Sequence, residues 1–457
     1  MWVNIEVSLS DLEIIYLPLS LSQSSKELVY IHFGKNLCLT RVEYLSTLKV
    51  NVNNSFENPF KLIMTKALKD KLLIPHFPIY QLKIFGNEII IGPVIGLLLG
   101  NHAHLYSPSH MRKYSDRFGI YNKIGGLIYA FSPKNIDWEK NSVYGLYYNV
   151  TNSKWEFGEF PLPTVIYRRN FHTEEKTIQK LIKATNYKLF NSYRFTKYEM
   201  NEYVIKDKQL CNHLIPTILC NNFDSLKSFI DIHNRIILKP TDLSRGRGIC
   251  IIDKKDIFYK IIDYRGKTPL ETLIKDEKEL KEYFNSNHNF FNNYLAQKHI
   301  NLAKVDGSVY DIRVVMQKKT KDDWVCSGIE CRIAPSSSLI TNISRGGYAL
   351  SLHDALEKSF SGYPNIKLLM LQVDEFSKKL CIYMDKMGHH FAEFGIDLAF
   401  DEIKNLWLIE INVFPSFKGF KIFDYSTYLN IRYTPLLYAA TLTEFKDSIL
   451  VSEGSRE

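Results

Sequence analysis

The chain has no C-x-x-C pair, no run of basic residues, and no uncharged apolar stretch long enough to cross a bilayer. Each absence removes a class of protein. Its seven cysteines, Cys38, Cys211, Cys220, Cys250, Cys326, Cys331 and Cys381, are odd in number and mostly sit in apolar, strand-like surroundings. They read as small buried hydrophobes in a reducing compartment, not as a disulfide framework or a zinc site. The net charge of +9 is spread along the whole sequence. Without a basic tail or a basic helix at groove-reading spacing, nucleic acid is not an expected partner. A diffuse positive field suits an anionic ligand such as a nucleotide or an acidic polymer. The uncharged run Ile89 to Leu99 is broken by Gly92, Pro93 and Gly96. It falls far short of the roughly 20 residues that span a membrane, so no span is expected. The opening MWVNIEVSLSDLEIIYLPLS has acidic residues where a signal peptide needs a basic region. The cytoplasm is the expected compartment.

Two common nucleotide motifs are missing as well. GKT occurs at Gly266 to Thr268, but Ile261 stands where a P-loop needs its first glycine. Gly246-x-Gly248 does not continue to a third glycine and a helix, so it is no Rossmann turn. No internal repeat is visible.

What is present is ordinary globular material: 457 residues, 45% hydrophobic and 23% charged, with 28 Tyr and 28 Phe. That length predicts two or three domains. Residues 1–87 alternate short β-rich pieces with polar turns and carry no catalytic cluster. Residues 88–190 begin with the strand-like EIIIGPVIGLLLG and pass through a helix-like stretch, Met111 to Ile124. They continue to a buried strand, GGLIYAF, and end at PLPTVIYRR with Arg168 and Arg169. Strand, helix and strand in alternation predict an open α/β sheet. Residues 191–450 follow, and a polar tail, 451–457, ends the chain. In this third zone a helical stretch, Thr196 to Cys211, leads to Pro216, a second helix around Phe223 to Ile232, and the strand RIILKP. A charged, Asn-rich excursion from Asp253 to Asn293 precedes the strands YLAQKHI, YDIRVVMQ and WVCSGIECRIA. A long helix presents Ile366, Leu369, Val373, Phe376 and Leu380 on one face.

The closing hairpin, GIDLAFDEIKNLWLIEINVF, is the most informative piece. Alternation sends Leu406, Leu408, Glu410 and Asn412 one way and Trp407, Ile409, Ile411 and Val413 the other. If EIKN makes the turn and Asp401 pairs with Leu406, Asp397 stands across from Glu410, about 5 Å away at the Cβ atoms. Two carboxylates so close call for a cation or a shared proton. With the Asn412 amide oxygen they form a hard oxygen set suited to Mg²⁺. In RIILKPTDLSRGRGICII a strand ends at Lys239, and a turn carries Ser244, Arg245, Gly246, Arg247 and Gly248. Glycines there let backbone N–H groups approach a phosphate, and the basic residues add charge. Asp311, Arg313 and Gln317 share a strand face, with Arg332 on the next strand. Such arginines serve either a transferring phosphoryl group or a structural Asp311–Arg313 pair. His389 and His390, at a polar helix exit, read as solvated.

In order, LIYAFSPKNIDW, W-x-F-G-E-F-PLPTVIYRR, LFNSYRFTKYEM, ILKPTDLSRGRGI, AQKHINLAKVDGSVYDIRVVMQ, TNISRGGYALSL and FGIDLAFD…LWLIEINVFPSFKGF cover about the last four-fifths of the chain. This set resembles the ATP-grasp superfamily, and within it the YheC/YheD family of endospore coat-associated proteins. The resemblance implies an ATP-grasp fold, α/β and α+β. A pre-ATP-grasp α/β domain precedes two lobes that hold ATP and Mg²⁺ between them, after a small β-rich N-terminal region. It implies Lys197 and Lys239 on the phosphates and Ser244 to Gly248 as a loop over the γ-phosphate. Gln297 and Lys298 would meet adenine, Arg313 and Arg332 the reacting phosphate, and Asp397, Glu410 and Asn412 the Mg²⁺. The implied activity is ATP-dependent carboxylate–amine ligation through an acylphosphate, on a peptide or coat polymer, in the mother-cell cytoplasm with spore coat proteins as partners. The alternative is an ATP-binding scaffold of the spore coat with little turnover.

Overall fold

The computed structural model describes residues 1–22, 27–170, 172–241, 248–266, 268–286, 290–335 and 346–445. The polar tail 451–457 lies outside them. Four sheets organise the chain.

Seven strands, Trp2–Ser8, Ile14–Pro18, Leu28–Phe33, Asn36–Leu45, Phe60–Thr65, Tyr80–Phe85 and Glu88–Gly92, close into a barrel. Period-two alternation makes this possible: Val3 and Ile5, Val29, Ile31 and Phe33, and Leu62 and Met64 fill the interior. The run EIIIGPVIGLLLG is therefore not one strand. Pro93 has no N–H to give a ladder, so Glu88–Gly92 completes the barrel and Val94–Leu98 starts the next sheet. The barrel thus extends past residue 87, where the composition alone puts a boundary.

The second sheet runs Lys154–Pro161, Ser142–Asn149, Leu127–Asp137, Val94–Leu98, Val165–Arg168, Leu189–Phe190. Val94–Leu98 lies parallel to both neighbours and is buried at all five positions, as a strand covered on two faces must be. The helical stretch before Leu127 is mainly a 3-10 turn, Arg112–Ile120.

The third sheet, Thr217–Leu219, Tyr294–Lys298, Arg235–Pro240, Cys250–Lys254, Tyr259–Asp263, Leu270–Ile274, corrects the reading of Asp253 to Asn293 as an excursion. That segment supplies the two outer strands and the helix Glu277–Ser286. Leu280 and Phe284 of this helix join Leu226 and Ile230 of Phe223–His233 beneath the sheet. The expected helix from Thr196 to Cys211 is shorter, Lys197–Val204. Asp207 then accepts the N–H groups of Gln209 and Leu210 and turns the chain.

The fourth sheet is Tyr348–Leu350, Asp323–Ile333, Ser308–Thr320, Glu393–Phe400, Leu406–Asn412. Helix Ile366–Asp385 covers one face with Leu369, Val373, Phe376, Leu380, Cys381 and Met384, the predicted stripe extended by a turn. Val315, on the other face, packs with Phe417, Phe420, Tyr428 and Ile431. His389 and His390 are half-buried and not solvated: His389 stacks on Tyr193 at 4.2 Å, and His390 Nε2 lies 2.7 Å from the Tyr438 hydroxyl. All seven thiols are free, and five are buried. No described helix is long and apolar enough to cross a membrane.

Helix Tyr425–Thr441 ties the second and fourth sheets together. Leu436, Tyr438, Ala439 and Ala440 enter the core of the second sheet. Beside it, fully buried Glu393 accepts from Arg169 Nη1 (2.6 Å), Gln317 Nε2 (2.8 Å) and the Tyr167 hydroxyl (3.1 Å). Gln317, Tyr167 and Arg169 come from different sheets or their ends, so Glu393 welds the seam between them. Replacing Glu393 with Ala leaves the Arg169 charge buried without its partner. The variant should lose about 3–5 kcal/mol of unfolding free energy, read as a lower urea midpoint.

Candidate functional site

A cleft of about 1080 Å³ opens between the third and fourth sheets. From the third sheet come Ile237, Ile251 and Leu295 as an apolar wall, with Thr217, Lys239, Gln297 and Lys298 along it. From the fourth come Asp311, Arg313, Glu330, Arg332, Asp397, Glu410 and Asn412. Lys197, first residue of its helix, also lines the cleft. Thr196 and Glu199 form a reciprocal capping box that fixes this helix start.

The hairpin brings Asp397 opposite Glu410 and Gly395 opposite Asn412. The route differs from the predicted one. Phe400, not Asp401, pairs with Leu406, and the register shifts between Asp397 and Leu398, which leaves Ile409 as an extra residue. Asp401 is withdrawn from the ladder because its carboxylate accepts the N–H groups of Ile403 and Asn405 and the Trp407 indole. The bulge also changes the faces. Leu406 and Leu408 enter the same core as Ile411 and Val413, opposite to Glu410 and Asn412. Two one-residue departures cancel, and the Asp397–Glu410 pairing survives.

Asp397 is the hub. Its carboxylate accepts from Arg313 Nε (2.5 Å) and Nη2 (2.9 Å), from Arg332 Nη2 (3.2 Å), and from Asn412 Nδ2 (3.5 Å). Burial pushes its pKa up, but the Arg313 and Arg332 guanidiniums outweigh that and hold it below the ordinary aspartate value. Arg332 in turn grips Asp311 in a fork at 2.6 and 2.8 Å. The structural alternative for these residues thus has other partners than the Asp311–Arg313 pair considered from sequence. Both arginines line the cleft, and both are held by carboxylates.

Glu410 is different. Burial raises its pKa; Lys197 opposes the shift and Asp397 reinforces it. No hydrogen bond from a described residue satisfies its carboxylate. Lys239 Nζ donates to Gln297 Oε1 at 2.5 Å, and Gln297 Nε2 donates to Thr217. Burial, then the nearby Lys197 charge, lower the Lys239 pKa to about 8, against the pull of Glu410. Two lysines and two carboxylates thus gather around one end of the cleft.

The predicted residues Lys197, Lys239, Gln297, Lys298, Arg313, Arg332, Asp397, Glu410 and Asn412 all line this cleft. Ser244, Arg245, Gly246 and Arg247 lie outside the described residues, as does most of TNISRGG. Gly248 has φ of +76° and leads into Ile249, which lines the cleft. Sequence reasoning missed Glu330. A signal was available: like Glu410 in LWLIEINVF, Glu330 is a carboxylate embedded in an apolar strand, two residues before Arg332 in CSGIECRIA.

The YheC/D-like ATP-grasp pattern matches residues 186–442. The chain is 24% identical over 416 residues to the endospore coat-associated protein YheD of Bacillus subtilis (strain 168), covering 88% of this chain and 87% of that one. The endospore coat-associated protein YheC of the same organism is 24% identical over 331 residues, covering 68% and 85%. Among solved structures, N5-carboxyaminoimidazole synthetase from Staphylococcus aureus complexed with ADP aligns at 12% identity and a TM-score of 0.44, over 76% of this chain and 78% of its own. More than half of the sequence falls within the matched pattern, and the chain belongs to the YheC/D-like ATP-grasp family.

Proposed function

We propose that the cleft binds Mg-ATP and that the protein spends it to join a carboxylate to an amine through an acylphosphate, with the second sheet, which starts at Val94, as the core of the pre-ATP-grasp domain. One observation carries the proposal: Lys197 and Lys239 converge with the register pair Asp397–Glu410 at one end of the cleft. Lys197 and Lys239 would neutralise phosphates, and Gln297 and Lys298 would border the adenine. Ser244 to Gly248 would cover the γ-phosphate.

The residues fit a magnesium ion. Glu410 carries a carboxylate with no hydrogen bond from a described residue, Asp397 stands opposite, and Asn412 adds an amide oxygen, a hard set of the kind Mg²⁺ takes together with phosphate. The ion would supply charge neutralisation at the phosphates. Arg313 and Arg332 would contribute donors to the transferring phosphoryl group while Asp397 fixes their orientation. We place the protein in the mother-cell cytoplasm with spore coat association, as the names of YheD and YheC suggest for those proteins. The same names favour a second reading, an ATP-binding coat scaffold with little turnover. ADP release in the presence of candidate acids and amines separates the two: turnover supports the ligase, and its absence with intact ATP binding supports the scaffold.

Lys239→Ala should weaken Mg-ATP binding by about 1.5–3 kcal/mol at pH 7 while the circular dichroism spectrum is unchanged. A phosphate contact needs the charged amine, and with a pKa of about 8 the free lysine loses its proton above that pH. Calorimetric affinity should therefore fall between pH 7 and pH 9, and Lys239→Arg, always charged, should flatten the profile.

Glu410 has a raised pKa, so its ionised form costs folding free energy at neutral pH and protonation relieves it. Without metal, Glu410→Gln should melt no lower than wild type. It should gain less from added Mg-ATP, and equal stabilisation of the two proteins would defeat the assignment.

A further inference from the structure

The fourth sheet carries a straight row of charge. Its register sets Glu410 opposite Asp397, Asp397 opposite Arg313, and Arg313 opposite Glu330. At about 4.8 Å per strand, Glu330 lies about 10 Å from Asp397 and about 15 Å from Glu410 along this row. The Arg313 guanidinium leans toward Asp397 and away from Glu330, because both of its forked hydrogen bonds go to Asp397. Arg332 is forked to Asp311 in the same way. The two arginines are thus taken up by Asp397 and Asp311, with Arg332 also reaching Asp397 at 3.2 Å, and Glu330 receives no hydrogen bond from either.

Glu330 is only 2% exposed, lines the cleft, and has a buried Oε2 with no hydrogen-bond partner among the described residues. Lys418 also lines the cleft but forms no ion pair with Glu330 among the described residues. Gly419 closes over the carboxylate: a Cβ there would sit 2.0 Å from Oε2. A glycine is needed at 419 for the acid to occupy this place. Leaving a buried carboxylate unpaired is costly, so the position calls for a ligand that brings the missing positive charge.

We infer that Glu330 marks the acceptor end of the cleft, where it binds a primary amine nucleophile and takes up the protons the amine loses. The inference rests on the ligase reading. In the step, the amine nitrogen bonds to the acyl carbon of the acylphosphate and the carbon–oxygen bond to phosphate breaks, with its electron pair leaving on the phosphate. The amine binds as an ammonium, so one proton passes to the Glu330 carboxylate before attack and a second after the carbon–nitrogen bond has formed, each going on to solvent. Burial raises the Glu330 pKa to about 7, against Arg313 and Arg332 and with help from Asp311 and Asp397, a value suited to exchanging a proton near neutral pH.

The test uses the full chain with Mg-ATP and a tryptic digest of casein, which supplies peptide carboxylates and amines, with and without hydroxylamine. Hydroxylamine is neutral at pH 7.5 and captures an acylphosphate without a base, giving a hydroxamate. Glu330→Gln keeps the shape of the protonated acid and should fold. It should bind Mg-ATP as wild type does and form hydroxamate at the wild-type rate, yet lose about 100-fold or more in amide formation. Gly419→Ala, which keeps the acid but displaces it, should lose amide formation in the same selective way. Loss of both products in Glu330→Gln, or retention of both, overturns the role of Glu330 and leaves the ligase reading standing. Wild-type protein that binds Mg-ATP but yields neither product overturns the ligase reading and the inference with it.

Discussion

The fork between Arg313 and Asp397 is the constraint on which the cleft depends. Arg313 lies on the central strand of its sheet and Asp397 on the neighbouring one, both nearly buried. Because the two hydrogen bonds fix the plane of each group, they also fix where Glu410, Asn412 and Arg332 meet Asp397. An isolated buried aspartate would take a proton; beside two guanidiniums it stays ionised. The site thus keeps a permanent negative centre, against which the other groups are arranged.

Around that centre, charge compensation is deliberately uneven. The Arg313–Asp397 and Arg332–Asp311 forks, joined by the Arg332–Asp397 contact, compensate one another, whereas Glu410 and Glu330 stand at the two ends of the row. Lysines face the Glu410 end, and Gly419 presses against the Glu330 end. Compensated middle and uncompensated ends give the cleft a direction, from phosphates toward acceptor in the reading proposed above. The seam at Glu393 supports this geometry from outside the cleft. Arg169, which pairs with Glu393, also donates to the Pro415 carbonyl, and Arg313 donates to the Ser416 carbonyl. Two arginines from different sheets hold the segment that follows Asn412.

Much of the site was legible because carboxylates inside apolar strands are costly and therefore conspicuous. Glu410 in LWLIEINVF stood out for that reason, while Lys239 was reached as the strand end before a Gly-rich turn and through the family resemblance. Glu330 in SGIECRIA obeyed the same rule but was masked by its neighbour Arg332, which drew the reading toward phosphate. The hairpin pairing was right at Asp397 and Glu410 although the turn and the strand faces were not. A bulge changes register by one residue, and no periodicity announces it.

By itself the sequence determined the strand-rich organisation, the apolar stripe of the helix Ile366–Asp385, and the pairing of Asp397 with Glu410. Local pattern suffices there, because burial and alternation act over a few residues. Tertiary structure alone decided that seven strands close into a barrel ending at Gly92, and that Asp253 to Asn293 joins a sheet. It also decided which carboxylate each arginine takes. Those outcomes depend on pairings between distant strands, whose energies belong to the assembled sheets and not to any single segment.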